Sequence, residues 1–252
     1  MRIQIVYFSG TGNTKTIALG YERVLSRLGH QVLVSSIEEC DELGSHELLI
    51  IGGPIYAGNM PDELINWVRK NIAEVNEHQK AIVFSTSAGL LNANGVKSIG
   101  KKLLKKGYEI VDTPTFEMPR NFYIDKYEPT PEAIQKQQFE RASELILESI
   151  KNIDYNKDLV FHESVIMIDI LADVFRIMAK SMGKSFAIDE SCIGCGKCEK
   201  NCPKQNINFK DKQYSNKCIL CTRCIHNCPV NAISYKNKKI EQYRVHHTLV
   251  TE

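Results

Sequence analysis

The sequence has no uninterrupted apolar run that approaches the ~18 residues of a membrane span, and its N-terminus lacks the charged-then-apolar pattern of a secretory signal. We therefore expect a cytoplasmic protein with no transmembrane segment. The charge is nearly balanced, with 32 Lys and Arg against 30 Asp and Glu. No basic stretch is interleaved with aromatic residues, so we expect no nucleic-acid-binding surface.

The glycine-rich loop F-S-G-T-G-N-T-K-T, residues 8–16, lacks what the two common nucleotide loops require. A triphosphate loop ends in Gly-Lys-Ser/Thr, but here Asn13 follows Gly12. The dinucleotide fingerprint needs a third glycine where Lys15 stands, which argues against direct use of NAD(P)H. A set of hydroxyl and amide side chains remains, between a predicted strand and a predicted helix. Such a loop offers backbone N–H groups to a single phosphate, and a helix cap without a ligand is the alternative.

Cysteine is almost absent from the first 191 residues, where only Cys40 occurs, whereas eight of the nine cysteines lie between Cys192 and Cys228. In a reducing compartment this density indicates metal binding rather than disulfides. We expect Cys40 to be a small buried apolar residue and not a reactive thiol.

The cysteine-rich segment is an internal duplication, because C-I-G-C-G-K-C-E-K-N-C-P from Cys192 recurs 26 residues later as C-I-L-C-T-R-C-I-H-N-C-P. Both copies have the spacing C-x2-C-x2-C-x3-C-P that bacterial proteins use to ligate [4Fe–4S] clusters. Zinc knuckles need wider separations between their ligand pairs. The sequence therefore predicts two [4Fe–4S] clusters. His226, inside the second copy, is expected to be an exposed neighbour of a cluster and not a ligand.

Three thiolates spaced three residues apart on a curling loop can face one cubane, while the fourth, redirected by its proline, reaches the other cluster. The ligands that this pattern assigns are, for one cluster, Cys192, Cys195, Cys198 and Cys228, and for the other, Cys218, Cys221, Cys224 and Cys202.

Strand and helix patterns alternate through the first half of the chain. The predicted strands are residues 3–8, 31–37, 47–53, 81–87 and 108–116. Five strands with intervening helices predict an α/β fold with a parallel sheet. A single phosphate loop after the first strand favours the flavodoxin-like strand order over the larger six-stranded dinucleotide sheet.

A helix is predicted over residues 131–152, a polar linker over 154–158, and a second helix over 163–184. The second helix has a wide apolar stripe, which predicts that it is well covered as a bridge between two domains; a membrane-surface or partner-docking helix is the alternative. The stripe consists of Met167, Ile170, Leu171, Val174 and Met178, and the polar face of Asp169, Asp173, Arg176 and Lys180.

On these motifs, residues 1 to about 150 resemble a flavodoxin and residues 186 to about 236 resemble a two-cluster bacterial ferredoxin. The whole chain is similar to the fused flavodoxin/ferredoxin proteins found mostly in anaerobes. In flavodoxins the motif T/S-x-T-G-x-T cradles the 5'-phosphate of FMN, and S-G-T-G-N-T at residues 9–14 matches every specified position. The resemblance implies a five-stranded parallel sheet, a bridging helix, a small α+β two-cluster ferredoxin domain, and FMN as a third cofactor.

Two further loops follow strands three and four, where an open α/β sheet binds its ligand. The first offers Tyr56 to stack on the isoalloxazine and a peptide between Ala57 and Gly58 that glycine allows to flip. The second loop, residues 85–95, offers backbone groups to the pyrimidine edge of the flavin. The FMN-binding residues implied in the three loops are Ser9, Gly10, Thr11, Gly12, Asn13 and Thr14; Pro54, Ile55, Tyr56, Ala57, Gly58 and Asn59; and Ser85, Thr86, Ser87, Ala88 and Gly89.

The second of these loops, residues 85–95, departs from many flavodoxins because it has no aromatic residue to cover the other face of the flavin. Either the ferredoxin-like segment covers that face or the face is open to a substrate. Phe122 or Tyr123, from residues 118–125, is a further source of a covering ring.

We expect four segments: an FMN-binding domain (1–153), a linker and bridging helix (154–185), a ferredoxin domain (186–240) and a C-terminal tail (241–252). The predicted function is electron transfer, in which single electrons pass through two [4Fe–4S] clusters to or from FMN, with a redox protein as donor or acceptor. One alternative is an FMN-dependent reductase of a small organic acceptor fed by its own clusters. A redox or iron sensor is the other.

Overall fold

The computed structural model describes residues 1–75, 79–89, 95–124, 128–154, 166–245 and 247–249. Most of the predicted linker and part of the loop at 85–95 lie outside these residues. Within the described part of the chain, no helix is long and apolar enough to cross a membrane.

A parallel sheet organises the first half of the chain, which we call the sheet domain (residues 1–154). Its strands are β1 (Arg2–Tyr7), β2 (Gln31–Ser36), β3 (Leu48–Pro54), β4 (Lys80–Ser87), β5 (Glu109–Asp112) and β6 (Thr115–Glu117). The order β2-β1-β3-β4-β5, with β6 also paired to β4, confirms the predicted flavodoxin-like fold. The fifth predicted strand is divided in two around Pro114, which has no N–H to donate to a ladder.

Helices cover both faces of the sheet, so its central strands are apolar on both sides. They are α1 (Asn13–Arg27), α2 (Asp62–Asn71), α3 (Lys97–Lys105) and α4 (Glu132–Lys151), followed by a short 3-10 turn (Asn152–Asp154). The helices α1 and α4 pack on one face around Tyr21, Phe84 and Phe116. On the other face α2 and α3 pack around Trp67 and Leu103, where Cys40 is buried as predicted.

The second half begins with α5 (Ile166–Gly183), and residues 186–240 form what we call the cysteine domain. It contains β7 (Phe186–Ile188), α6 (Lys197–Lys200), β8 (Ile207–Asn208), β9 (Gln213–Tyr214), α7 (Arg223–His226), β10 (Ile233–Tyr235) and β11 (Lys238–Lys239). Two small antiparallel sheets, β11-β10-β7 and β8-β9, hold the cysteine loops.

The duplication is visible in the backbone of the cysteine domain. The glycines Gly194 and Gly196 have φ of 68° and 67°, and their counterparts 26 residues later, Leu220 and Thr222, have φ of 54° and 55°. Both copies therefore use the same left-handed turns. In the second copy these turns are built from residues for which that conformation costs on the order of 1 kcal/mol each.

The prediction that α5 is well covered along its apolar stripe is wrong, because the helix faces the other way. Ala172 and Ala179 are buried, and the polar residues Asp169 and Arg176 also face the protein. Asp169 accepts a hydrogen bond from Asn59 at 3.2 Å, and Arg176 pairs with Asp62 at 3.0 Å. These polar partners on the sheet domain turn the apolar stripe toward solvent.

The C-terminal tail runs back from the cysteine domain across the sheet domain. Tyr243 is buried and its hydroxyl donates to Asn13 Oδ1 at 2.6 Å. Leu249 is buried against α1 and α4, where it lies so close to Gly20 that a Cβ there would be 2.4 Å from it. The tail therefore contributes to the core of a domain that it follows by more than 80 residues.

We predict that Leu249→Ala lowers the free energy of unfolding of the sheet domain by about 2–3 kcal/mol, because it leaves a cavity between α1 and α4. Trp67, the single tryptophan, is buried in this domain and its fluorescence during urea unfolding gives the measurement. Leu28→Ala, at a leucine that is 59% exposed, is the control and should change the free energy by less than about 0.5 kcal/mol. Equal effects of the two substitutions would show that the tail is not docked.

Candidate functional site

A cavity of about 330 Å³ lies at the carboxyl ends of β1, β3 and β4, where an open α/β sheet binds its ligand. Its size is within the range of cofactor pockets. The lining residues from the predicted loops are Ser9, Gly10, Thr11, Asn13, Thr14, Pro54, Ile55, Tyr56, Ala57, Gly58, Thr86, Ser87 and Ala88. Thirteen of the seventeen predicted FMN-binding residues therefore share one cavity.

The first loop has the geometry expected of an anion site at a helix N-terminus. Gly12 caps α1 with a φ of 114°, which only glycine adopts readily, and its N–H donates to Ser9 Oγ at 3.1 Å. Gly12 itself does not line the cavity. The hydroxyls of Thr14 and Thr86 are hydrogen-bonded at 2.8 Å and join this loop to the one after β4.

The loop after β3 makes a tight turn at Ala57 and Gly58, whose φ values are 50° and 90°. Tyr56 and Asn59 exchange backbone hydrogen bonds of 2.7 and 3.3 Å across the turn. The Asn59 side chain turns away from the cavity, where it accepts hydrogen bonds from the backbone of Met60 and from Ser98. Asn59 therefore supports the turn and does not line the cavity.

Two of the predicted residues between 85 and 89, at the end of β4 and just after it, also lie outside the cavity. Ser85 is fully buried and hydrogen-bonded to Thr115 at 2.9 Å, so its side chain joins β4 to β6. Gly89 has a φ of 84° and lies against the carboxylate of Glu117. Of the residues predicted here, Thr86 and Ser87 at the end of β4 and Ala88 directly after it line the cavity.

Aromatic side chains enter the cavity wall from two segments outside the three loops. Phe122 comes from the segment after β6, and Phe175 comes from the inner face of α5. Tyr123 instead packs edge-on against His226, with ring centroids 5.8 Å apart. The sequence analysis did not identify Phe175. Its position between Ala172 and Ala179, on a helix face of small residues, is the pattern that indicates such close packing.

The eight cysteines of the repeat line two further cavities, four in each. One cavity is lined by Cys202, Cys218, Cys221 and Cys224, and the other by Cys192, Cys195, Cys198 and Cys228. These are the two sets that the spacing predicts. Among the described residues, no three His, Cys, Asp or Glu side chains surround a single metal-ion position. A cubane spreads its thiolates over four irons and so holds them farther apart than one ion does.

The chemistry of the cysteine groups fits a cationic core. Burial raises the pKa of the Cys221 thiol to about 12, and neighbouring Cys218 and Cys202 add to the shift. Burial also raises the pKa of the Cys224 thiol well above its ordinary value. Buried thiolates that face one another require bound metal to stay deprotonated. Backbone N–H groups already point at sulfur, from Asn206 to Cys202 at 3.3 Å and from Ala232 to Cys228 at 3.2 Å.

The cavity between the sheet loops and one cysteine cavity share a wall. Cys221 and Thr222 line both of them. The backbone carbonyl of Cys221 lies so close to Gly10 that a Cβ there would be 2.8 Å from it and 2.9 Å from the Tyr56 hydroxyl. A glycine is therefore required at position 10 for the two loops to touch. The other cysteine set, 192/195/198/228, has no residue in the large cavity.

Arg223, which the sequence analysis did not single out, joins the two domains at this wall. Its guanidinium donates to the Ser9 carbonyl at 2.6 Å, to Glu38 at 2.7 Å and to the Asn201 carbonyl at 3.1 Å. It also lies over the ring of Phe8, 5.3 Å from the centroid. Arg223 is the counterpart of Lys197 in the first copy of the repeat, so only the tertiary contact distinguishes the two.

The expectation that His226 is exposed is wrong. His226 is 4% exposed; its Nδ1 accepts the Tyr243 N–H at 2.9 Å, so Nε2 carries the proton and donates to the Asn121 carbonyl at 2.7 Å. Burial lowers the pKa of His226 to about 4, although the bond to Asn121 acts in the opposite direction. The ring is excluded from solvent because the tail and residues 119–123 close over it.

Comparison with known proteins identifies the two domain types. A flavodoxin domain model matches residues 4–116, and a 4Fe-4S binding domain model matches residues 213–234, which contain the second copy of the repeat. The chain thus contains a flavodoxin domain and a 4Fe-4S binding domain. No curated protein matches it.

Similar solved structures include Flavodoxin 2 from Bacillus cereus, which is 23% identical with a TM-score of 0.44; the match covers 60% of this chain and 99% of that one. A Streptococcus pneumonia TIGR4 flavodoxin is 18% identical with a TM-score of 0.39, covering 59% and 99%. A putative quinone reductase from Klebsiella pneumoniae is 13% identical with a TM-score of 0.42, covering 67% and 93%.

We predict that Arg223→Gln destabilises the protein by about 1–3 kcal/mol, because it leaves Glu38 and two partly buried carbonyls without a cationic donor. Arg141→Gln is the control, since Arg141 makes the exposed ion pairs with Glu144 and Glu148, which contribute less than about 1 kcal/mol. The free energy of urea unfolding measures both. Indistinguishable effects would mean that Arg223 does not join the domains.

Proposed function

We propose that the protein is an electron carrier in which two [4Fe–4S] clusters and one FMN occupy the three cavities. The domain composition supports a flavin-binding, iron–sulfur electron-transfer role, and such carriers act with redox partners. The observation that carries the proposal is the wall of Cys221 and Thr222, which belongs to both the large cavity and one cysteine cavity. When bound, the clusters would supply single-electron carriers and FMN would exchange one or two electrons.

The residues of the large cavity suit FMN. The loop of Ser9 to Thr14 offers hydroxyls, backbone N–H groups and a helix N-terminus to a phosphate. Tyr56, Phe122 and Phe175 offer rings to an aromatic group, and the two loops after β3 and β4 offer backbone groups. A ligand bound here would be enclosed by both domains, because Leu220, Cys221 and Thr222 form part of the wall.

The eight cysteines of the repeat would ligate the two clusters, in the sets 202/218/221/224 and 192/195/198/228. The cavity of the first set shares Cys221 and Thr222 with the large cavity, and the cavity of the second set shares no lining residue with it. Cys195 of the second set is the exposed cysteine of the repeat. We infer an order in which electrons pass between the outside and the 192/195/198/228 set, then the 202/218/221/224 set, and then the flavin site. Fusion of the domains keeps the last two steps intramolecular.

The alternative of a reductase was favoured by the lack of an aromatic residue in the loop after β4. Phe122, Phe175 and residues 220–222 of the cysteine domain line the same cavity. The proposal therefore assigns no organic substrate to the cavity.

The test is the iron, sulfide and FMN content of protein purified without oxygen, followed by stepwise reduction watched in the visible spectrum. We expect about eight irons and one FMN per chain. Cys218→Ser should slow the bleaching of the flavin bands at least about tenfold when electrons enter through the clusters. Cys40→Ser, which removes the one cysteine outside the repeat, should leave iron content and bleaching unchanged. Eight irons without FMN, even after FMN is added, would overturn the proposal.

Gly183 tests whether the cysteine set that contains Cys218 packs against α5. A Cβ at Gly183 would be 2.2 Å from Cys218 Cβ and 2.9 Å from its sulfur. We predict that Gly183→Ala displaces Cys218 and lowers the iron content from about eight to about four per chain. Gly194→Ala is the control: no atom lies within 4 Å of a Cβ at Gly194, and its counterpart Leu220 already carries a side chain in the same conformation. Retention of eight irons in Gly183→Ala would contradict the arrangement.

A further inference from the structure

The side of α5 that faces away from the protein is strongly apolar. We call it the outer face; it consists of Met167, Ile170, Leu171, Val174, Ile177 and Met178, which are 46–71% exposed. Single exposed apolar residues are ordinary, but a contiguous apolar face on a folded domain marks an interaction surface. The electron-transfer function proposed above does not use this face.

The outer face has the spacing of a helix-pairing seam. Met167, Ile170, Val174 and Ile177 alternate by three and four residues, as the a and d positions of a heptad do, and Leu171 and Met178 are the neighbouring e positions. Helix positions outside this seam face the rest of the same chain. Ala172, Phe175, Ala179 and Met182 pack against the rest of the protein. The seam is therefore separate from the contacts that hold α5 in place.

We propose that the occupant of the outer face is α5 of a second copy of this chain, packed antiparallel about a two-fold axis. In such a pair Val174 lies opposite Ile177 of the second copy, and the same contact is made in reverse. The exposed charges Asp173 and Lys180 occupy g positions at the rim. Antiparallel pairing brings Asp173 of each copy next to Lys180 of the other, so that each helix pair has two contacts between opposite charges.

A parallel pair would not be complementary in this way, because g positions then face e positions. Asp173, which pairs with Arg176 of its own helix, would meet Met178 of the second copy and would lose water without gaining a cation from that copy. The rim also argues against a membrane surface. It carries one acid and one base, whereas helices that lie on anionic lipid have a polar face rich in Lys and Arg.

The area of the outer face suits a stable pair. Six large apolar residues, each exposed by about half or more, present roughly 600 Å² per copy, so that pairing would bury about 1,200 Å², which is the lower end of stable interfaces. The inner face of α5 lines the large cavity through Phe175 and packs on Cys218 through Gly183. The seam therefore lies one helix diameter, about 10 Å, from the large cavity and from Cys218.

The first test is sedimentation velocity of the holoprotein between about 1 and 100 µM, where we expect a dimer that dissociates on dilution. Ile177→Lys and Ile170→Lys, which place a charge in the seam, should each raise the dimer dissociation constant at least about 100-fold. Iron and FMN content should stay at the wild-type value, which shows that the variants are folded. Leu33→Lys is the control, because Leu33 is 64% exposed on β2 and away from α5.

The second test determines the orientation. Asp173→Lys and Lys180→Asp should each weaken the dimer about tenfold, and the double variant should restore it to within about threefold of wild type. Rescue is expected only for the antiparallel pair. A wild-type protein that is monomeric throughout the concentration range would overturn the proposal, as would a dimer that the α5 variants leave intact. A monomer that binds phosphatidylglycerol vesicles, and loses binding in Ile177→Lys, would assign the face to a membrane and overturn it as well.

Discussion

The close approach of two backbone loops is the constraint on which the arrangement of the protein depends. The carbonyl of Cys221 lies against Gly10, at a distance that leaves no room for a side chain at position 10. Arg223 holds the loops in this contact through the Ser9 carbonyl and Glu38. Because these two loops belong to different cavities, their contact makes one wall common to both. A separation of the domains by the width of one side chain would remove that wall.

A second set of hydrogen bonds joins lining residues of the large cavity to the cysteine domain and the tail. Asn13 donates to the Pro119 carbonyl and accepts from the Tyr243 hydroxyl, while His226 bridges the Asn121 carbonyl and the Tyr243 N–H. One buried network therefore joins the glycine-rich loop, the segment after β6, the cysteine domain and the tail. Such a network is rigid when every member is satisfied, which suits the cofactor sites proposed above.

The helix α5 shows how polar contacts outweigh an apolar stripe. Burial of the apolar stripe would by itself be favourable. However, Asp169 is bound by Asn59 and Arg176 by Asp62, and only a glycine fits at position 183 beside Cys218. These contacts determine the rotation of the helix. Among the residues that the structure describes, the stripe is left exposed. The periodicity of the sequence was correct about the existence of two faces and wrong about which face is inside.

The sequence by itself determined the parallel sheet, the glycine-rich loop between β1 and α1, and the division of the eight repeat cysteines between two cavities. Strand alternation, loop composition and cysteine spacing are properties of short contiguous segments. The position of Arg223, the burial of His226, the contribution of Phe175 and the docking of Leu249 were decided only by the tertiary structure. Each of these contacts joins residues far apart in the chain, and local patterns carry no information about which distant surfaces meet. Arg223 and Lys197 occupy equivalent places in the repeat, and only the first lies against the sheet domain, since the second copy of the repeat is the one that packs on Gly10.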